Sequence, residues 1–288
     1  MPAEKPATAE AGDTDAERSP NREFAIGLAR AFAGAVIFAL PLLMTMEMWA
    51  FGFTLAPYRL MVFIVLTIPL LVGMAHFLGF EPTFDAQEDV VDAFVAYAVA
   101  FIAAAFVLLL LGVIQPGMSG REIVGKIALQ AIPGAIGALL AQSQLGMENE
   151  EQKSRERNAG YFGELFFMAV GALFFAFNLA PTEEIILTAF HLSGLSALVL
   201  ALVSLVIMHA FVYAVNFSGQ ASIPADKPAW LVFLRYTVVG YALVLLISLF
   251  VLWAFGRTEN NSLYENALSV VVLGLPGAIG AAAARLIL

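Results

Sequence analysis

Four glutamates stand in apolar surroundings at matched positions of this sequence, and carboxylates so placed can bind a cation or hold a proton. Glu47 lies in Thr45-Met-Glu47, and Glu184 lies in Thr182-Glu-Glu184 at an offset of 137. Glu122 and Glu265 each follow a serine by three residues, Ser119 and Ser262, and lie 143 apart. Removal from water favours the neutral acid, and acids in or beside membrane segments mark ion or proton paths by default. Two from each half could line an acidic vestibule, with Thr45 and Thr182 supplying hydroxyls. A plainer reading competes. Ser-x-x-Glu is the capping box of a helix N-terminus, and Pro181-Thr-Glu-Glu184 reads as proline at the first helical position with acids in the first turn. Capping accounts for Glu122, Glu184 and Glu265 but leaves Glu47 unexplained. Lys126, one turn after Glu122, neutralises it; its counterpart is Ser269, which makes Glu265 the better candidate for a free acid.

The hexapeptide Pro-Gly-Ala-Ile-Gly-Ala occurs at 133–138 and again at 276–281, each copy eleven residues after its glutamate. Pro133 and Pro276 have no N–H to donate, so the carbonyls of Leu129 and Val272 lose helical partners. Gly134 and Gly277 follow directly and make unwinding cheap. A helix break near the bilayer midplane is therefore expected in each half, and paired interruptions of this kind point to a transport site. Packing is the stronger expectation: Gly134/Ala138 and Gly277/Ala281 form small-residue faces that would bring the two spans together.

The elements that must position these residues are membrane helices. Of 288 residues, 61% are hydrophobic and 13% charged, about half the charged share of a soluble domain, and mean hydropathy is +0.86. Runs of about 20 apolar residues predict eight spans, over residues 24–50, 58–80, 90–114, 122–142, 161–179, 192–215, 230–255 and 263–288. A shift of 137 aligns spans one and two with five and six, 139 aligns Phe94, Tyr97 and Val99 of span three with Phe233, Tyr236 and Val238, and 143 aligns spans four and eight. The expected fold is all-α, a polytopic membrane protein of eight transmembrane helices arranged as two tandem parallel four-helix repeats. A polar tail (1–22) precedes the first repeat (23–142), a charged linker (143–160) and the second repeat (161–288). Lys5, Arg18, Arg22 and Arg30, with Lys153, Arg155 and Arg157 of the linker, predict that both termini are cytoplasmic and the chain multi-pass in the inner membrane. Arg59, Arg121, Lys126 and Arg257 fall on the opposite side.

Composition excludes other chemistry. A net charge of −9 without a basic tract argues against nucleic acid. With no cysteine there is no disulfide, thiolate nucleophile or iron–sulfur ligand, and three histidines leave little for a metal centre. No cofactor and no metal are expected. His191, seven residues after Glu184, is expected at the interface, and His209 inside span six is expected to pair with a carbonyl. Residues 180–191, APTEEIILTAFH, are similar to the Glu-Glu-x-x-x-Arg motif of intramembrane CAAX-type proteases, and Leu205-x-x-x-His209 to their Phe-x-x-x-His motif. Thr188 stands in place of the arginine, Leu205 in place of the phenylalanine, and Tyr213 in place of a later asparagine. The catalytic set is incomplete, so an enzyme is not expected.

The segments PGAIGALLA and GAVIFALPLLMTMEMW resemble an uncharacterised bacterial family of integral membrane proteins, domain of unknown function 2391, from about Asn21 onward. The resemblance implies about eight helices in a bacterial inner membrane and supplies no activity. The residues themselves favour a small-ion or proton channel or secondary transporter with its path at the repeat interface. The alternative is a non-catalytic membrane scaffold or partner subunit whose acids only cap helices; a degenerate protease-like protein comes third. The expected partners are the lipid bilayer, a small cation or a proton, and a further copy of the chain.

Overall fold

The structure is a computed structural model that describes residues 20–78, 86–145, 160–214 and 229–287. Most of the expected tail, the start of the acidic 81–92 loop and residues 146–159 of the linker lie outside the described residues. Those described are all-α. In chain order the helices are α1 (Pro20–Leu43), α2 (Met46–Thr54), α3 (Pro57–Leu78), α4 (Ala86–Leu110), α5 (Gly120–Leu145), α6 (Gly160–Leu179), α7 (Glu183–His191), α8 (Gly194–Ala214), α9 (Ala229–Val232), a π-helical turn (Phe233–Val238), α10 (Val239–Ala254) and α11 (Leu263–Ile287). Eight of these segments are long and apolar enough to cross a membrane.

Span one was expected to run through residue 50 and stops at Leu43. Thr45 is extended (φ −95°, ψ 119°), and the chain restarts as the separate nine-residue helix α2. Two side chains absorb the orphan acceptors of the α1 terminus: Trp49 Nε1 donates to the Leu43 carbonyl at 2.8 Å, and Thr45 Oγ1 donates to the Pro41 carbonyl at 2.6 Å. The break recurs after α6, where Thr182 Oγ1 donates to the Leu179 carbonyl at 2.8 Å before α7, also nine residues long.

The expected proline breaks are absent. α5 runs through Pro133 and α11 through Pro276 as continuous helix. A membrane helix tolerates the lost bond where its neighbours pack closely, and every residue of α5 from 125 to 139 is buried. α5 touches α1, α2, α3 and α4, and α11 touches α6, α7, α8 and α10. Each hexapeptide helix is thus the centre of its own set of helices.

Spans four and eight were expected to pack against each other through Gly134 and Gly277. Instead Gly134 faces Ala100 and Ala35, and Gly277 faces Val244, Ser248 and Ala172, all within the same half of the chain. Within each hexapeptide the closer approach falls at the second glycine. A Cβ on Gly137 would come within 2.7 Å of the Gly34 carbonyl oxygen, and one on Gly280 within 2.9 Å of the Gly171 carbonyl carbon. These are backbone-to-backbone crossings of α1 with α5 and of α6 with α11, which only glycine permits. Ala100 meets Gly134 and Val244 meets Gly277, while Gly112 (φ 68°) and Gly256 (φ 74°) end α4 and α10 in left-handed turns; Ala100 and Val244, like Gly112 and Gly256, lie 144 apart.

The two halves meet along an aromatic seam. Phe63 of α3 lies 5.3 Å from Phe177, 5.4 Å from Phe250 and 5.4 Å from Phe255, ring centre to ring centre. Arg59, 5% exposed, adds an ion pair to Glu259 across the same seam and stacks 5.4 Å from the Trp253 ring. Arg257 donates to the Pro181 carbonyl and lies 5.1 Å from the Phe51 ring.

Candidate functional site

The four glutamates begin helices. Glu47 and Glu184 stand in the first turns of α2 and α7, so Glu47 does occupy a helix-start position. Neither Thr45 nor Thr182 caps the following helix with its side chain; both hydroxyls turn back to the preceding one. Glu184 is exposed and Glu47 partly so. At α5, Ser119 Oγ accepts from the Glu122 N–H at 3.2 Å, and the Glu122 carboxylate turns to Lys126 Nζ at 2.7 Å. At α11 the capping box closes in both directions: Glu265 N–H donates to Ser262 Oγ at 3.2 Å, and Ser262 N–H donates to Glu265 Oε2 at 2.7 Å. Glu265 is therefore not the free acid expected of it. Among the described residues, no three His, Asp or Glu side chains come together as a metal site would require.

The protease-like arrangement is not assembled. Glu183 and Glu184 open α7, whereas His209 lies fifteen residues into α8, about 22 Å along the helix axis. His191 is exposed at the end of α7.

His209 instead belongs to a polar line that sequence reasoning passed over. Its Nδ1 lies 3.0 Å from Thr237 Oγ1, and its ring stands edge-on to Phe233 at 5.0 Å. Thr237 is fully buried and sits in the π-helical turn; such turns insert a residue into a helix and gather at functional sites. One turn along the same face is Tyr241, whose buried hydroxyl is turned toward Ser204 without closing a hydrogen bond of ordinary geometry. Ser204 Oγ donates to the Leu200 carbonyl at 2.9 Å. Two further turns on, Ser248 is fully buried with no partner for its hydroxyl, and it faces Gly277. The signal was available: Thr237, Tyr241 and Ser248 recur at helical spacing in an otherwise apolar span. The other half holds Ala93, Tyr97 and Ala104 at the matching positions, an offset of 144. Among the buried polar side chains of that half is Gln130 of α5, 0% exposed, with neither amide atom hydrogen-bonded.

Comparison with curated proteins and with solved structures gives no match. A family model does match, over residues 27–288, and its description is "Putative integral membrane protein (DUF2391)". With nearly the whole chain matched and eight apolar helices of spanning length, this is a multi-span integral membrane protein belonging to the DUF2391 family.

Proposed function

We propose that the protein carries protons or a small cation across the membrane, through the second half of the chain rather than along the seam between halves. The observation that carries this reading is the line His209–Thr237–Ser204–Tyr241–Ser248, in which His209 is half-buried and the four hydroxyl residues are buried. An ionisable ring inside a span, paired to a hydroxyl and followed by hydroxyls on one face, has the composition of a proton relay. Water bridging Thr237, Tyr241 and Ser248 would complete it, since each offers a polar atom where the surroundings are apolar. The aromatic packing at Phe63, Phe177 and Phe255 disfavours the seam as a path.

We place the chain in the inner membrane with both termini cytoplasmic, and read it as two tandem four-helix repeats. Three features support the repeat. α2 and α7 begin and end at the same offset of 137, α5 and α11 begin at an offset of 143, and the crossing Gly34–Gly137 has its counterpart in Gly171–Gly280.

The test is proton flux into vesicles holding a pH-sensitive dye, driven by a potassium diffusion potential, with the full chain reconstituted. Wild type should exceed empty vesicles, and His209→Gln should lower the rate at least about tenfold, in the range of removing a proton-transfer group. Glu265→Gln should leave it unchanged. Flux in His209→Gln equal to wild type removes the relay. No flux in wild type hands the protein to the second reading, a scaffold or partner subunit, which the engaged states of Glu122 and Glu265 favour.

A further inference from the structure

We infer that the protein holds one anionic phospholipid at a defined place, with an acyl chain in the groove between α2, α3 and α5 and the phosphate on Arg121. The groove has a volume of about 330 Å³ and is lined by Phe53, Met61, Val65, Val124 and Ala128 among other apolar residues, with Arg121 its sole charged wall. That volume lies within the span of pockets that take small ligands. Phe53, Met61, Val65 and Val124 are about half exposed or more, so the groove opens sideways, toward hydrocarbon. Arg121 sits in the first turn of α5, and the groove follows that helix to Ala128, seven residues on. That is about 10 Å along the axis, the direction in which a lipid tail descends from its headgroup.

Charge identifies the occupant. Four cations were expected at this end of the chain. Arg59 is paired to Glu259, Lys126 to Glu122, and Arg257 donates to the Pro181 carbonyl. Arg121 is exposed and has no protein partner among the described residues. Its one acidic neighbour in sequence, Glu122, is already neutralised by Lys126. A guanidinium at the rim of an apolar groove matches a phosphate bearing an acyl chain: the fork of N–H donors takes two phosphate oxygens, and the groove takes methylenes. The other half supplies an internal comparison. At the matching positions Tyr264 replaces Arg121, Leu268 replaces Gly125 and Ala189 replaces Gly52. That place lacks the cation, and with it the partner for a phosphate.

The test uses the full chain in nanodiscs containing equal phosphatidylglycerol and phosphatidylcholine with identical acyl chains, followed by native mass spectrometry of the released protein. Wild type should retain one phosphatidylglycerol per chain with about tenfold preference, the scale of one charge-assisted contact. Arg121→Gln should keep a lipid but lose the headgroup preference. Val124→Trp, which fills the groove, should lose retention of both lipids while helix content stays unchanged. Arg235→Gln, on a cation stacked 4.2 Å over Tyr161 in the other half, should behave as wild type. Equal retention of the two lipids by wild type overturns the inference, and so does a preference that survives Arg121→Gln or Val124→Trp.

Discussion

Gly171→Ala is the sharpest probe of the packing. At this crossing of α6 and α11 the added methyl would overlap the Gly280 carbonyl oxygen, approach the Gly280 carbonyl carbon to 2.7 Å and come within 2.6 Å of Ala284 Cβ. Carbon atoms pack best at roughly 3.5–4.0 Å, so the helices must part by about 1 Å at the point of closest approach. Two of the three obstructing atoms are backbone and cannot rotate aside. A gap of this size forfeits about a quarter to a half of the local dispersion energy, and overpacking costs about 1–3 kcal/mol or more. Alanine recovers up to about 1 kcal/mol of helix propensity. The net expectation is a loss of about 2 kcal/mol, read as a shift in the midpoint of denaturant-induced unfolding in micelles by tryptophan fluorescence. Adding Ala284→Gly should recover little, because the Gly280 carbonyl remains in the way. Gly120→Ala, where the new Cβ meets open space, should lie within about 0.5 kcal/mol of wild type. Wild-type stability in Gly171→Ala, or full rescue by Ala284→Gly, would refute backbone-to-backbone packing at this crossing.

The remaining predictions concern the seam and the caps. Phe63→Ala removes a buried ring that touches Phe177, Phe250 and Phe255, and should cost about 3–5 kcal/mol in the same unfolding measurement. A cost below about 1 kcal/mol, less than any ordinary loss of a buried ring, would mean that the seam does not hold the halves together. Ser262→Ala removes the acceptor for the Glu265 N–H and should cost about 1 kcal/mol. Glu265→Gln should cost less, because glutamine also completes a capping box.

The helix-level plan was legible because the apolar runs are long and the hexapeptides unmistakable. All eight expected spans have a helix of spanning length. What the sequence concealed has identifiable physical causes. The break between α1 and α2 occurs inside a mostly apolar run, and its stop depends on Trp49 and Thr45 turning backward, which periodicity cannot register. Pro133 suggested an interruption, but the packing of four helices around α5 keeps that helix whole. Gly134 follows the proline and drew attention, whereas Gly137 makes the closer contact; only the crossing partner, Gly34, decides between them. At the site, both the capping box at Glu265 and the pairing of Glu122 with Lys126 one turn on were readable from the sequence. His209 was visible, but its pairing with Thr237 was not, since that depends on a π-helical turn that shifts the face of the helix.

The central place of α5 and α11 sets an order of assembly. Each is the last helix of its set to leave the ribosome, and each touches every long helix made before it in that set. Until α5 emerges, α1 to α4 surround a vacancy, and the bare glycine at Gly34 has nothing to cross. The first set is complete once residue 145 is in the membrane, before any of α6 to α11 has been inserted. The second set then closes in the same manner when α11 arrives, and a chain truncated ahead of residue 263 would leave Gly171 and Val244 facing lipid. The helix that carries the hexapeptide is thus, in each set, the one whose arrival completes the contacts.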